Sequence, residues 1–251
     1  MEDKHTVGYF DRNVPEYSDY RLPHVVEAIR KHAGTDAWVV DVGCGVGNIL
    51  ESLMRETGIR HVCGIDSSAA CLQKTKERIG CETIQGSVVD DAFMGSVERK
   101  FDFVLLMAVL HHLIGTTRRQ SKRQAFAAVA NCLKLLKPGG RLIIGEPIFY
   151  PRLTMHALFY VKKAITSVTT ERIPIFGYWN NIGAPVVSYY TYEDLLEMVK
   201  AAGGLEVEEH YEDPMRVSML QRAALITRRL DVTIIARKTD TGHRLQAAGC
   251  G

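Results

Sequence analysis

Apolar and polar positions alternate along this chain in two rhythms. The run Trp38-Val39-Val40-Asp41-Val42 is apolar enough for a strand buried on both faces, and it ends at a glycine cluster. Helical spacing resumes at once in Ile49, Leu50, Leu53 and Met54. His61 to Asp66 reads as a second strand, and Ala69 to Ile79 as a helix with Lys74, Lys76 and Glu77 outward. The alternation then repeats: strand Glu82 to Gln85, a short helix, strand Phe101 to Met107, helix Gln120 to Leu136, strand Arg141 to Gly145. Strands alternating with helices predict a parallel sheet covered by helices on both faces. Lys137-Pro138-Gly139-Gly140 stops the long helix, because proline cannot continue it and glycine accepts a left-handed turn.

From Pro147 to Tyr190 the rhythm changes. Prolines at 147, 151, 174 and 185 punctuate aromatic and β-branched residues, and Leu153 to Val168 is amphipathic, as in an insertion packed on the edge or top of the sheet. Thr191 then caps a helix with Asp194 in its first turn, Gly203-Gly204 ends it, and strands near 205–212 and 230–237 complete the pattern. An amphipathic helix is also expected from Pro23 to His32, while Thr239 to Gly251 has little to bury and is expected to fray.

Composition narrows the class. The 251 residues, 46% hydrophobic and 24% charged, suit a soluble globular chain with one domain and a modest insertion. With 31 basic and 29 acidic residues the net charge is +2, so nothing in it attracts nucleic acid or anionic lipid in general. Met1 to Arg12 is charged where a secretory signal is apolar, and no run reaches the about 18 apolar residues of a membrane span, so a cytoplasmic location is expected. Cysteines at 44, 63, 71, 81, 132 and 250 form no zinc-type CxxC pair and are expected to be reduced and mostly buried.

The chemistry concentrates at Asp41-Val42-Gly43-Cys44-Gly45-Val46-Gly47, where the first strand gives way to a helix. Glycines there let backbone approach a ligand at the carboxyl edge of the sheet. The spacing is GxGxG, with Asn48 where a dinucleotide fingerprint wants its third glycine, and the chain has no GxxxxGK[ST] phosphate cradle. Asp66 closes the second strand, where a carboxylate can accept hydrogen bonds from both hydroxyls of a ribose, although Asp66-Ser67-Ser68 can equally cap the next helix.

Taken in order, Val39 to Gly47, Gly64-Ile65-Asp66, the Gly86-Ser87 turn, Phe101-Asp102 and Leu136-Lys137-Pro138-Gly139-Gly140 resemble the motifs of class I, Rossmann-like S-adenosylmethionine (SAM)-dependent methyltransferases of small molecules. The resemblance is close over residues 38–147 and loose elsewhere. It implies an α/β fold with a seven-stranded, mostly parallel, doubly wound sheet of order 3-2-1-4-5-7-6, strand 7 antiparallel, and a lid-like insertion after strand 5. Residues 1–238 would form one domain, with 1–35 as an N-terminal cap, 147–190 as an acceptor-side insertion and 239–251 as a flexible tail. For the donor, the resemblance implies that Asp41, Gly43, Cys44 and Gly45 surround the methionine part, that Asp66 holds the ribose and that Ser67 flanks the adenine. Ser87 and Val88 follow the third strand. Ser87 stands where the family often has an aspartate, leaving the adenine amino group to its hydroxyl, to Asp90 or to water. Carbonyls of Met107 and Ala108 would meet the ammonium group, and Tyr17 and Arg21 of the aromatic leader would approach the carboxylate, unless that leader simply packs.

Leu110-His111-His112-Leu113 follows the fourth strand and Glu146 ends the fifth. Adjacent parallel strands lie ~5 Å apart, so a histidine and a carboxylate at their ends can meet as a general-base pair for a hydroxyl, or serve only as scaffolding. His111, closer to the strand, is expected to face the acceptor, with His112 bracing the loop. Phe149, Tyr150, Phe159, Tyr160, Phe176, Tyr178, Trp179, Tyr189 and Tyr190 give the insertion an aromatic lining that suits a flat or greasy acceptor, and equally a core or a dimer contact. Basic residues at 118, 119, 122, 123, 162, 163, 228 and 229 read as solvated faces. No NPPY-like tetrapeptide follows the fourth strand, and the acidic pairs of a metal-assisted catechol-type mechanism are missing there, so no metal is expected. The expectation is O-methylation of an aromatic or polyketide-like metabolite in secondary metabolism by a monomer or homodimer, releasing S-adenosylhomocysteine, without nucleic acid or a membrane span. Its alternatives are N- or C-methylation of a small or lipid-quinone-like molecule, and a catalytically silent SAM-binding subunit.

Overall fold

The computed structural model describes Gly8 and residues 22–34, 36–168 and 186–239 of the chain, with the side chains of 166–168 excepted. Tyr17, Arg21, Phe176, Tyr178, Trp179 and the C-terminal tail therefore lie outside the described residues.

Seven strands form one sheet: β1 (Trp38–Val42), β2 (His61–Asp66), β3 (Glu82–Gln85), β4 (Phe101–Met107), β5 (Leu136–Tyr150), β6 (Leu205–Met215) and β7 (Arg228–Lys238). Their order is β3-β2-β1-β4-β5-β7-β6, parallel except for β7, which runs antiparallel to both β5 and β6. This is the order the sequence motifs imply. Between them lie α1 (Leu22–His32), α2 (Asn48–Thr57), α3 (Ala69–Ile79), α4 (Asp91–Ser96), α5 (Arg118–Leu135), α6 (Arg152–Val168), α7 (Tyr192–Ala202) and α8 (Met219–Ala223).

Side chains alternate across each strand, so the sheet has two cores. Val40, Val42, Ile65, Val104, Leu106 and Ile144 face one way and pack with Ala128 and Val129 of α5 and Leu195 and Met198 of α7. Val39, Val62, Phe103, Leu105 and Ile143 face the other and pack with Val25 and Ile29 of α1 and Leu50 and Leu53 of α2. The order in which successive strands are added reverses between β1 and β4, where β1 pairs in parallel with β2 on one side and β4 on the other. The crevice outside the carboxyl ends at such a switch is where doubly wound sheets bind ligands.

Three boundaries differ from the sequence reading. Helix α5 starts earlier, because the Thr117 hydroxyl accepts a hydrogen bond from the Gln120 amide (3.2 Å) and caps it. Lys137 to Gly140 lie within β5 and bulge from it, shifting the register against β4 so that Phe101 stands opposite Leu136 and Phe103 opposite Arg141. Strand β5 does not end at Gly145. Its parallel pairing with β4 stops at Met107↔Gly145, but the antiparallel ladder with β7 continues from Glu146↔Val232 to Tyr150↔Arg228. Glu146 thus sits within a strand, at the first position past the end of β4, and residues 147–150 belong to the sheet.

The amphipathic stretch of the insertion is helix α6, and the chain returns to the body through α7. There Thr191 and Asp194 cap the helix reciprocally: the Thr191 amide donates to Asp194 Oδ2 (3.1 Å), and the Asp194 amide donates to Thr191 Oγ1 (3.3 Å). Asp194 Oδ1 also accepts from Lys122 of α5 (2.7 Å) and Arg152 of α6 (3.0 Å). One buried carboxylate thereby joins three helices. Thr191→Ala removes a cap hydroxyl and is expected to lower the unfolding free energy by about 1 kcal/mol, read as a reduced urea midpoint; an unchanged midpoint would show that the Asp194 cluster holds the helix end without it.

Candidate functional site

The glycine loop is held by the strand beside it. Gly43 and Cys44 both donate their amides to the Ile65 carbonyl (2.7 and 3.1 Å), which turns the chain sharply at the end of β1. Gly43 has φ +80, and a Cβ there would lie 2.4 Å from Val109 Cγ2, so only glycine fits between β1 and the turn after β4. Gly64 is needed for a different reason, since a Cβ on it would lie 2.7 Å from the Cys44 sulfur. Burial, then the nearby Asp41 and Asp66 carboxylates, push the Cys44 thiol far above its ordinary pKa, leaving it an inert packing group.

Asp66 does more than close β2. Its Oδ2 accepts from the Gly45 amide (2.9 Å) and its Oδ1 from the Ser68 amide (2.8 Å). Ser68, not Asp66, caps α3, its hydroxyl accepting from the Cys71 amide (3.1 Å). Thr75 of α3 donates to the Gly45 carbonyl (2.8 Å) from below. The loop is fixed by its own fold. Asp41, by contrast, is buried at the base of the loop.

The Gly86 amide donates to the Asp66 carbonyl (3.0 Å), tying the end of β3 to that of β2. Ser87 Oγ accepts from the Val89 amide (3.4 Å) and Asp90 caps α4 through the Phe93 amide (3.0 Å), so both polar groups hold the local turn. Val88 is buried, and its carbonyl accepts from Asn131 (2.9 Å). Ser67 is tied through its carbonyl to Gln85 (3.3 Å). At the end of β4, Met107 is buried and Ala108 adopts φ +58 while donating its amide to Gly145 (2.7 Å). A left-handed alanine costs ~1–2 kcal/mol, and such strain gathers where a backbone must serve a site. Gly43, Cys44, Gly45, Asp66, Ser67, Ser87, Val88, Met107 and Ala108 all lie on the carboxyl edge of β1 to β4.

The histidine pair meets its carboxylate. His111 Nδ1 lies 2.6 Å from Glu146 Oε2, and the Leu110 amide donates to Glu146 Oε1 (2.7 Å). His111 is 4% exposed and Glu146 1%. Leu110–His112 is a short 3-10 turn, which points both donors at the one side chain. An ionised carboxylate only accepts, so Nδ1 donates and Nε2 carries the lone pair of the neutral ring. The His111 ring packs against His112 (centroids 4.1 Å) and stacks on Tyr189 (5.4 Å), itself against Phe149 (4.4 Å). The Ser188 amide donates to the His111 carbonyl (2.8 Å). Burial, then the charges of His111 and Lys162, hold His112 well below the ordinary imidazole value, which suits a bracing group.

Several basic residues are not the solvated faces expected. Arg118 is buried and donates to the Tyr189 carbonyl (2.7 Å), fixing the segment that carries the ring on His111. Lys163 donates to the carbonyls of Gly115 (2.9 Å) and Thr116 (2.8 Å). Burial brings Lys162 down to about 8. Tyr189 is among the aromatic residues the sequence singles out, whereas Arg118 carries no local signal of its role because its partner comes from a distant part of the chain. Among the described residues no group of three or more His, Cys, Asp or Glu is arranged to hold a metal.

The methyltransferase domain family matches residues 12–210, and the chain belongs to that family. A carboxy-S-adenosyl-L-methionine synthase of Shewanella woodyi is 25% identical over 162 residues, 62% of this chain and 64% of that protein. A ubiquinone biosynthesis O-methyltransferase of Xylella fastidiosa is 31% identical over 147 residues, 55% of this chain and 54% of that protein. The chain thus spans less than two thirds of the length of these relatives. Among solved structures, the N-methyltransferase NodS of Bradyrhizobium japonicum, in complex with S-adenosyl-L-homocysteine, superposes with a TM-score of 0.58 at 14% identity, covering 94% of this chain and 99% of that one. The fold is that of class I methyltransferases.

Gly43→Ala puts a methyl group into the Val109 side chain at a left-handed φ. It is expected to cost about 1–3 kcal/mol of stability, with Val109→Ala in the same chain restoring the steric part. Urea unfolding of the single and double variants measures this; a Gly43→Ala chain as stable as the parent would sink it.

Proposed function

We propose that the chain is a SAM-dependent methyltransferase that methylates a hydroxyl of an aromatic or polyketide-like small molecule, with His111 as general base. The observation that carries this reading is the buried His111–Glu146 contact of 2.6 Å at the carboxyl edge of the sheet. The loop fits the donor. Gly45 has φ +53 with open space beside it, and the Asp66 carboxylate stands at the loop, taking the Gly45 and Ser68 amides.

On this reading Gly43, Cys44 and Gly45 lie against the methionine part of the donor, with Asp41 supporting the loop from beneath. Asp66 holds the ribose hydroxyls, Ser67, Ser87 and Val88 border the adenine, and the Met107 and Ala108 carbonyls take the ammonium. Tyr17 and Arg21 complete the carboxylate side. When bound, SAM supplies a methyl group on a cationic sulfur, and S-adenosylhomocysteine is the product. The protein aligns the acceptor for in-line displacement and removes one proton. His111 Nε2 receives the acceptor proton, while Glu146 holds the tautomer through Nδ1 and steadies the imidazolium. His112 braces the turn. The insertion at 147–190 forms the acceptor side of a single domain of residues 1–238, working as a monomer or homodimer in the cytoplasm. The likeness to NodS supports a second reading, an amine acceptor, which needs the same proton removed.

His111→Ala is expected to lower turnover on the order of a hundredfold with SAM affinity near that of the parent; unchanged turnover would reduce the pair to scaffolding. Asp66→Ala is expected to weaken SAM binding by ~1.5–3 kcal/mol in isothermal titration, and equal affinity would remove the ribose assignment. A panel of phenols, amines and lipid quinones, scored by S-adenosylhomocysteine formation, separates the acceptors. Tight SAM binding with no turnover on any of them would mark a silent subunit instead.

A further inference from the structure

Helix α6 turns apolar side chains to solvent as well as to the body of the protein. Its inward face carries Met155, Phe159 and the half-buried Lys162 and Lys163, while Leu153, Tyr160, Val161 and Ile165 point outward. A surface helix normally turns charge outward and keeps its apolar stripe inward. The second such place is the hairpin at α8, where Met219, Leu220 and Leu225 stand out from the surface. Among the described residues, all the exposed large apolar side chains fall on these two elements, with Met219 at 88%, Leu153 at 81% and Leu225 at 71%.

The two elements form one surface. The Thr154 hydroxyl donates to the Leu225 carbonyl (3.4 Å), and Met155, Phe149 and Ile226 share a buried cluster with Val217 at its edge. The outward placement is built in. Ser218 and Gln221 make a reciprocal cap at the start of α8, and the Leu225 and Ile226 amides donate to Arg222 (2.9 Å) and Gln221 (2.9 Å). Leu225 itself is held at φ +60, a region leucine avoids, with its side chain in solvent.

Charge names the occupant. No acidic residue occurs from Pro151 to Val168 or from Pro214 to Leu230, whereas the second stretch alone carries Arg216, Arg222, Arg228 and Arg229. Arg152 and Arg228 pair with Asp194 (3.0 Å) and Glu212 (3.1 Å), while Arg216 and Arg222 are exposed and make no ion pair among the described residues. Exposed apolar side chains that share with arginines two stretches free of acidic residues match the interface of an anionic bilayer. No helix of the described residues is long and apolar enough to cross one, so the contact is peripheral. We propose that the outward face of α6 and the α8 hairpin form a docking surface for an anionic lipid bilayer, placed beside the Phe149–Tyr189 contact that backs His111.

Co-sedimentation of the full chain with phosphatidylcholine vesicles containing about one third phosphatidylglycerol, and with phosphatidylcholine alone, tests this. The chain is expected to pellet with the anionic vesicles and to be released by salt. The triple variant Leu153→Gln, Met219→Gln, Leu225→Asn is expected to lose on the order of a hundredfold in vesicle affinity, and Arg216→Ala with Arg222→Ala to lose the preference for anionic lipid. The variants alter exposed side chains, and an unchanged urea midpoint checks their folding. Failure of the parent chain to pellet, or equal pelleting of the triple variant, overturns the proposal. So does a parent dimer in light scattering that the triple variant converts to monomer, which assigns the face to a second copy. Lipid binding is read without any methyl transfer, so this proposal stands or falls apart from the catalytic one.

Discussion

A carboxylate buried to 1% exposure has to be met by donors, and Glu146 is met by two that come from one short turn. That requirement organises the centre of the molecule. The turn must start immediately after β4, which forces Ala108 into a left-handed conformation and lays Val109 against the space above Gly43. The same turn hands the His111 carbonyl to the Ser188 amide and its ring to Tyr189, so the chain returning from the insertion is registered against it. The glycine loop, the fourth-strand turn and the segment returning from the insertion are therefore set by one another.

Much of this was readable in the chain. The positions of β1 and β2 follow from apolar runs that end in glycine or aspartate, that of β4 from its run Phe103 to Met107, and the Thr191 cap from its partner Asp194. The pairing of His111 with Glu146 follows from their places after neighbouring parallel strands. What could not be read is what depends on pairing with distant segments. The extension of β5 past Gly145 is dictated by its antiparallel neighbour β7, and no local signal separates a strand residue there from a loop. Arg118 and Lys163 look like ordinary surface charges because the carbonyls that receive them lie on other elements. Ser87 shows the same limit in miniature: its hydroxyl serves the turn it sits in.

The glycine loop and the His111–Glu146 site are built on different physics. The loop is backbone held by backbone, through Ile65, and by Asp66, and its residues gain their role from what glycine omits. The histidine site is side chain on side chain, with a charge, an imidazole and aromatic rings excluding water. A low local dielectric strengthens both arrangements, since each rests on hydrogen bonds and a carboxylate.

Asp194 has a consequence for how such a chain can diversify. It receives Arg152 where the insertion leaves the sheet and pairs reciprocally with Thr191 where the insertion rejoins the body. Both ends of the segment are pinned to one carboxylate. The entropy of closing a loop grows only slowly with its length, so once the ends are fixed, what lies between can be exchanged or lengthened at a small thermodynamic penalty. The clasp separates the sheet and its glycine loop from a segment free to change, so that what is threaded through it can be altered while the loop stays untouched.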